Sequence, residues 1–243
     1  MPALLASTKR LHVGTLVLGS TYRHPAVLAN WAATTDQLSR GRLVLGVGAG
    51  WQRNEHDQYG LELPAPGPLL RRFDEYCHVL NGLLRDGRTS FAGTWFQLDD
   101  ALCEPKPHQE RLPLLIGGKR DRMLRVVARH ADRWNMWGLP DVIAERSAAL
   151  DHACAEIGRD PVEIERTAQA LVLLTDDDDA ARSFVEASAP RAAFAGTAEQ
   201  FAELAAGWAS VGVDEVIVPD TALGTGARRL EAMDAILAAV RAL

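Results

Sequence analysis

Along most of the chain, short unbroken apolar runs alternate with stretches in which apolar residues recur every three or four positions. The first run, Leu11 to Leu18, is closed by Gly19 and reads as a buried strand. A helix follows, with Pro25 in its first turn, Val27, Leu28, Trp31, Ala32 and Leu38 at helical spacing, and Gly41 where a left-handed terminator belongs. Leu43 to Gly48 is a second strand, and two continuous apolar strands joined by a helix are the mark of a parallel sheet covered on both faces. Trp51 to Pro68 is polar and rich in Gly and Pro and reads as a long loop, the kind that in compact domains carries function. Helical periodicity resumes near Leu69 and lasts to Gly87, after which Thr89–Phe91 and Thr94–Leu98 flank Ala92-Gly93 as a hairpin with a two-residue turn.

The alternation then recovers. Strand Leu112–Ile116 leads through Gly117-Gly118 to a helix from Asp121 to about His130, and strand Arg133–Trp137 leads to a helix from Asp141 to Ile157. A single strand is expected from Ala168 to Leu174. The acidic run Asp176–Asp179 suits a helix N-terminus, and Thr197 with Gln200 forms a capping box. Strand Glu215–Pro219 and helix Ala227–Leu243 complete the pattern. Six strands, each followed by a helix, with no linker or repeat, predict one α/β domain spanning 1–243 with a loop and hairpin insertion around 51–110. Six suits an open doubly wound sheet better than a closed barrel of eight.

Composition narrows the function classes. With 47% hydrophobic and 24% charged residues the 243-residue chain can bury a sizeable core, and a net charge of −6 argues against a general nucleic-acid or anionic-membrane surface. The odd set Cys77, Cys103 and Cys154 has no CxxC spacing, so neither a disulfide framework nor a metal site is expected. The first residues lack the pattern of a secretory signal and no apolar run reaches the roughly 20 residues of a membrane span, so the expected location is the cytoplasm.

Gly46-Val47-Gly48-Ala49-Gly50 follows a strand, but the dinucleotide spacing G-x-G-x-x-G would put its third glycine where Trp51 stands. A methyltransferase loop would run straight into a helix, whereas a Pro-rich segment follows here. The run from Gly14 to Pro25, Ser39-Arg40-Gly41-Arg42-Leu43, Gly46 to Trp51 with Asn54-Glu55 and Tyr59-Gly60, Pro105-Lys106-Pro107, Leu115-Ile116-Gly117-Gly118, Ala131 to Asn135 and Gly212 to Pro219 together resemble the bacterial luciferase-like superfamily, and within it the deazaflavin-dependent oxidoreductases.

The resemblance implies a (β/α)8 TIM-barrel type fold, incomplete here: about six of eight βα units, with the first two, about 60 residues, missing. It places the first strand at the third barrel position and Pro2 to Lys9 at the tail of the second helix. It implies a flavin-like ring at the C-terminal strand ends, against a bulge whose non-prolyl cis bond matches Leu16-Val17. Gly48, Gly50, Trp51 and Asn54 match positions near the ring, and Gly117, Gly118, Lys119 and Arg120 match a phosphate loop at a helix start. Asn135, Trp137 and Gly138 match further ring or ribityl contacts. The family's usual catalytic histidine or acid comes from a strand outside this sequence. Glu55 and His56 are the candidates within the loop, with a surface role as the plainer reading of both.

The implied function is an oxidoreductase using the deazaflavin coenzyme F(420) for hydride transfer with a small-molecule substrate. The alternatives are an FMN-dependent luciferase-like monooxygenase and a non-catalytic flavin-binding protein or inactive fragment. An open arc of strands would expose sheet edges, so a second copy of the chain is the expected partner.

Overall fold

A computed structural model of the chain describes residues 1–242, which fall into two compact units, Met1–Arg133 and Trp134 onward. Helix α1 (Pro2–Ser7) opens the first unit, followed by two short strands, β1 (Val13–Gly14) and β2 (Leu18–Gly19), a 3-10 turn at Ser20–Tyr22 and helix α2 (Pro25–Ser39). Strand β3 (Leu43–Gly48), helix α3 (Arg53–Tyr59), helix α4 (Pro66–Arg85), hairpin β4 (Thr89–Ala92) and β5 (Gln97–Ala101), strand β6 (Leu114–Gly117) and helix α5 (Asp121–His130) complete it. β3 is the central strand, parallel to β1 and β2 on one side and to β6 on the other. Its Leu43, Leu45 and Val47 are buried with Ile116 of β6. On α2 the buried residues Leu28, Ala29, Ala32 and Ala33 are mostly small, which lets α2 approach closely, and α4 contributes Phe73, Tyr76, Cys77 and Leu80.

Polar anchors fix the ends of these elements. The fully buried Asp36 carboxylate accepts from the backbone N–H of Gln109 (2.9 Å) and from its side-chain amide (2.8 Å), tying α2 to the segment entering β6. Asp132 accepts from Arg85 (2.6 Å), Arg111 (2.5 Å) and the N–H of Leu114 (2.8 Å). Asp74 of α4 accepts from His130 Nε2 (2.8 Å) and Arg129 (3.0 Å) at the C-terminal end of α5, where cations also suit the helix dipole.

Two expectations for the insertion are corrected. The segment from Trp51 to Pro68 is not a continuous loop: α3 lies within it, ended by the left-handed Gly60, and because His56 is its one buried residue it shows no apolar period. The hairpin turn has four residues, Gly93–Phe96, with the second strand starting at Gln97. Its cause is tertiary. Glu75 of α4 accepts from the N–H groups of Thr94 (2.8 Å), Trp95 (2.8 Å) and Phe96 (3.3 Å), bending into a turn three residues whose composition suits a strand.

In the second unit, β7 (Arg133–Trp137) is followed by helix α6 (Pro140–Ala155), strands β8 (Glu165–Gln169) and β9 (Leu171–Leu174), helix α7 (Asp178–Ser188), strand β10 (Ala193–Gly196), helix α8 (Ala198–Ser210), strand β11 (Glu215–Ile217) and helix α9 (Gly226–Arg241). β8 lies between β7 and β11, and β9 pairs in parallel with β10 as a separate two-stranded sheet. The expected single strand Ala168–Leu174 is thus two strands divided at Ala170, and β10 was not expected. Asp177 caps α7 by accepting from the N–H groups of Asp179 and Ala180, and the capping box at Thr197 and Gln200 is present. Trp134, Met136, Ile143, Ala168, Phe201 and Trp208 are buried in this unit, and Trp208 spends its indole N–H on the carbonyl of Gly138 (3.0 Å).

The α4–α5 contact makes a pH-dependent contribution. Burial pushes the Asp74 carboxyl up, but the His130 hydrogen bond and the Arg129 charge outweigh it and hold the group below its ordinary 3.8. A depressed carboxylate stabilises the fold above its unfolded pKa, and that stability is lost as pH falls through the folded value. Urea unfolding of the wild type and Asp74→Asn will therefore show a less stable variant at pH 7, with the gap closing as pH falls below 3.8. A gap that stays constant to pH 2.5 would show that the ionised pair contributes nothing.

Candidate functional site

Between β1 and β2 the ladder slips by one residue. Gly14 faces Val44 and Leu18 faces Val47, so four steps along one strand match three along β3, which defines a bulge over Thr15–Val17. The Thr15 hydroxyl fills the interrupted ladder: it donates to the carbonyl of Gly46 (2.8 Å) and accepts from the N–H of Gly46 (3.0 Å). Gly46 must be glycine, because a Cβ there would lie 1.8 Å from the Thr15 carbonyl oxygen. The Leu16-Val17 bond within the bulge is cis, at the position the family likeness implied. Both side chains are partly exposed, Leu16 at 43% and Val17 at 38%.

Three glycines end adjacent strands in a row. Gly19 is the register partner of Gly48, and Gly117 follows Ile116, the partner of Val47. A Cβ on Gly48 would meet Val17 Cγ2 at 2.7 Å. The strand ends therefore present bare backbone beside two apolar side chains, a surface suited to a flat ring.

Behind this row lies a buried pair that loop-based reading missed. His56, expected at the surface, is fully buried on α3. Its Nδ1 lies 2.7 Å from the carbonyl of Gln52, which can only accept, so Nδ1 carries a proton, and Nε2 shares a hydrogen bond with the Thr21 hydroxyl at 2.7 Å. The imidazole is thereby spent on fixing α3 to the end of β2, with Gly50 packed beside both residues. Glu55 stays exposed and accepts from the Tyr22 hydroxyl (2.6 Å), a bond that raises the tyrosine's pKa, while the Tyr22 ring packs on His56 with centroids 5.0 Å apart. Trp51, 80% exposed, and exposed Asn54 project from the same segment, and among the described residues their side chains make no hydrogen bond.

After Gly117 and Gly118, the exposed Lys119 and Arg120 lead into α5 and pair with no carboxylate among the described residues. Two free cations at a helix start form an anion-binding arrangement. In the second unit, Asn135 is buried on β7 and donates to the Thr167 hydroxyl (2.8 Å), Trp137 is half-buried under the Arg191 guanidinium, and Gly138 follows it. Among the described residues no cluster of His, Cys, Asp and Glu could hold a metal, and no helix is long and apolar enough to cross a membrane.

The Thr15 bridge should govern the stability of the strand ends. Thr15→Val loses both hydrogen bonds and leaves Gly46 unpaired, at a cost of about 2 kcal/mol, whereas Thr15→Ser keeps them and loses about half of that or less. Gly46→Ala forces a backbone clash and costs about 3 kcal/mol. Urea unfolding followed by circular dichroism measures all three, and a Thr15→Val variant as stable as wild type would remove the bridge from the account.

Comparison with known proteins identifies the fold and the family. The family model described as luciferase-like monooxygenase matches residues 1–243. The pyrimidine monooxygenase RutA of Cronobacter sakazakii is 32% identical over 190 residues, covering 75% of this chain and 54% of the relative, and that of Allorhizobium ampelinum is 34% identical over 169 residues, covering 66% and 45%. The chain thus spans about half the length of the curated relatives it matches. Among solved structures, an F(420)-dependent secondary alcohol dehydrogenase bound to an F(420)–acetone adduct superposes with a TM-score of 0.82 at 20% identity, over 98% of this chain and 82% of that one. The long-chain alkane monooxygenase LadA gives 0.83 at 14% identity, over 100% and 72%. These likenesses show an α/β fold of the incomplete TIM-barrel type, and the match along its full length shows that the chain belongs to the luciferase-like monooxygenase family.

Proposed function

We propose that this chain is a flavin-type oxidoreductase that acts as a monooxygenase on a small organic molecule. The observation that carries the reading is the row Gly19, Gly48 and Gly117 beside Leu16 and Val17: a cradle that any Cβ at Gly48 would narrow, floored by apolar side chains. An isoalloxazine ring fits such a surface, with its flat face on the side chains and its polar edge on bare backbone. Lys119, Arg120 and the α5 start suit the coenzyme's phosphate, and Trp51 and Asn54 would close over the ring's exposed side. The bound coenzyme would supply the two-electron redox chemistry.

This chain's residues bind, orient and exclude water. Thr15 and the Thr21–His56 pair hold the strand ends and α3 in place, so His56 is a positioning residue. Glu55, exposed and accepting from the Tyr22 hydroxyl, places a carboxylate at the surface of this segment. FMN is favoured as the coenzyme because the two curated relatives described above, both above 30% identity, are pyrimidine monooxygenases. The deazaflavin coenzyme F(420) is the second reading, favoured by the motif from Gly46 to Glu55 and by the alcohol dehydrogenase likeness.

Titrating the purified chain separately with FMN and with the deazaflavin coenzyme, following cofactor fluorescence, tests the proposal and separates the two readings. Saturable binding of one is expected, weakened at least about tenfold in Gly48→Ala as Val17 is displaced while the far-ultraviolet spectrum is unchanged. A folded chain that binds neither would contradict it.

A further inference from the structure

In the first unit, the tip of the β4–β5 hairpin lies against a group of cations that the candidate site does not use. Phe96, buried at the end of the turn, packs against three side chains: the His24 ring, edge-on with centroids 5.2 Å apart, the Tyr76 ring, edge-on at 5.9 Å, and the Arg72 guanidinium, 5.8 Å from the Phe96 centroid. Beside it, Arg71 lays its guanidinium 6.0 Å from the Trp95 ring centroid. Two neighbouring cations of α4 thus lie over two neighbouring rings of one turn. Arg23 adjoins His24, and its charge, like that of Arg72, reaches Tyr76.

These cations hold no carboxylate. Among the described residues Arg23, Arg71 and Arg72 make no ion pair and no hydrogen bond. The acids of α4 are spent elsewhere, Asp74 on His130 and Arg129 and Glu75 on the N–H groups of the turn. Neutral donors accompany the charge. His24 Nδ1 accepts from the N–H of Ala26 (3.2 Å) as the cap of α2, which leaves the ring proton on Nε2. Burial pushes Tyr76 above its ordinary 10.0 against the opposing pull of Arg23 and Arg72, so its hydroxyl stays protonated at neutral pH, and it makes no hydrogen bond among the described residues. Like charges gathered without a counter-ion repel one another, and stacking on rings offsets that only in part. An anion would remove the repulsion.

We propose that Arg23, His24, Arg72 and Tyr76 form a binding site for a phosphate-type anion, with Arg71 adding charge at its edge. A guanidinium presents its donors as a planar fork that matches paired oxygens of a phosphoryl group, and the rings of Phe96 and Trp95 hold the forks of Arg72 and Arg71 in place before a ligand arrives. A dianion neutralises two guanidiniums at once. Helix α2 starts at this point, so the positive end of its dipole adds to the field. The residues come from the entry to α2, from α4 and from the hairpin, not from the α5 start, so the site stands whether or not the proposed coenzyme reading holds.

Calorimetric titration with inorganic phosphate and with phenyl phosphate, against sodium chloride at matched ionic strength, tests the site. The chain used carries Lys119→Gln and Arg120→Gln, which removes the cations of the α5 start. Saturable binding of a phosphate is expected there, weakened about tenfold or more when Arg23→Gln or Arg72→Gln is added, with the circular dichroism spectrum unchanged. Arg23 is exposed and bonded to nothing among the described residues, so its substitution leaves the packing intact. Tighter binding of phenyl phosphate assigns the site to a phosphate monoester of an organic molecule, and tighter binding of inorganic phosphate assigns it to the free ion. No saturable binding of either probe, or binding within twofold after Arg23→Gln and after Arg72→Gln, overturns the proposal. FMN titrated into wild type and into Arg23→Gln separates this site from the coenzyme's: equal binding within twofold is expected. A tenfold loss of both FMN and phosphate in Arg23→Gln would support the anion site and move the coenzyme's phosphate to it, while a wild type that binds phosphate through Arg23 but no coenzyme would support it and overturn the proposed function.

Discussion

The strand ends of the first unit depend on one side chain standing in for backbone. Where β1 gives way to β2, the ladder to β3 would lose its pairing, and the Thr15 hydroxyl restores it by bonding both the N–H and the carbonyl of Gly46. A bulge normally leaves a residue unpaired; this one is compensated, so it can turn Leu16 and Val17 outward without opening the sheet. The absence of a side chain at Gly46 is what allows the two backbones to meet.

Polar groups elsewhere serve the same end. Thr21 and His56 bond one another in a buried contact, so the histidine serves as a strut. Asp36, Glu75 and Asp132 each gather several donors and fix loops that have little apolar content of their own.

Much of this fold was legible in the sequence because its signals are local. The apolar strands Leu43–Gly48 and Arg133–Trp137, the helix Asp121–His130 and the capping box at Thr197 depend on nearby residues and appear as expected. The features that differed depend on distant partners: the hairpin turn is set by Glu75, nineteen or more residues earlier, and the division of Ala168–Leu174 arises because β8 and β9 join different sheets. Glycines 48, 50, 117 and 118 were visible as loop glycines, but their neighbours Gly19 and Thr15 gain meaning only from register with β3. His56 was hidden because a short polar helix buries one residue and leaves no period to detect.

Amide hydrogen exchange on the chain with and without reduced FMN addresses the central claim directly, that the strand ends around the Thr15–Gly46 bridge are a preformed ring-binding surface. Slow exchange at Gly46 before ligand is added, and further protection on binding confined to residues 15–19, 46–54 and 117–121 in the first unit, is the result the account predicts. Fast exchange at Gly46 in the free chain, or bound ligand that protects the outer faces of α4 and α5 instead, would contradict it.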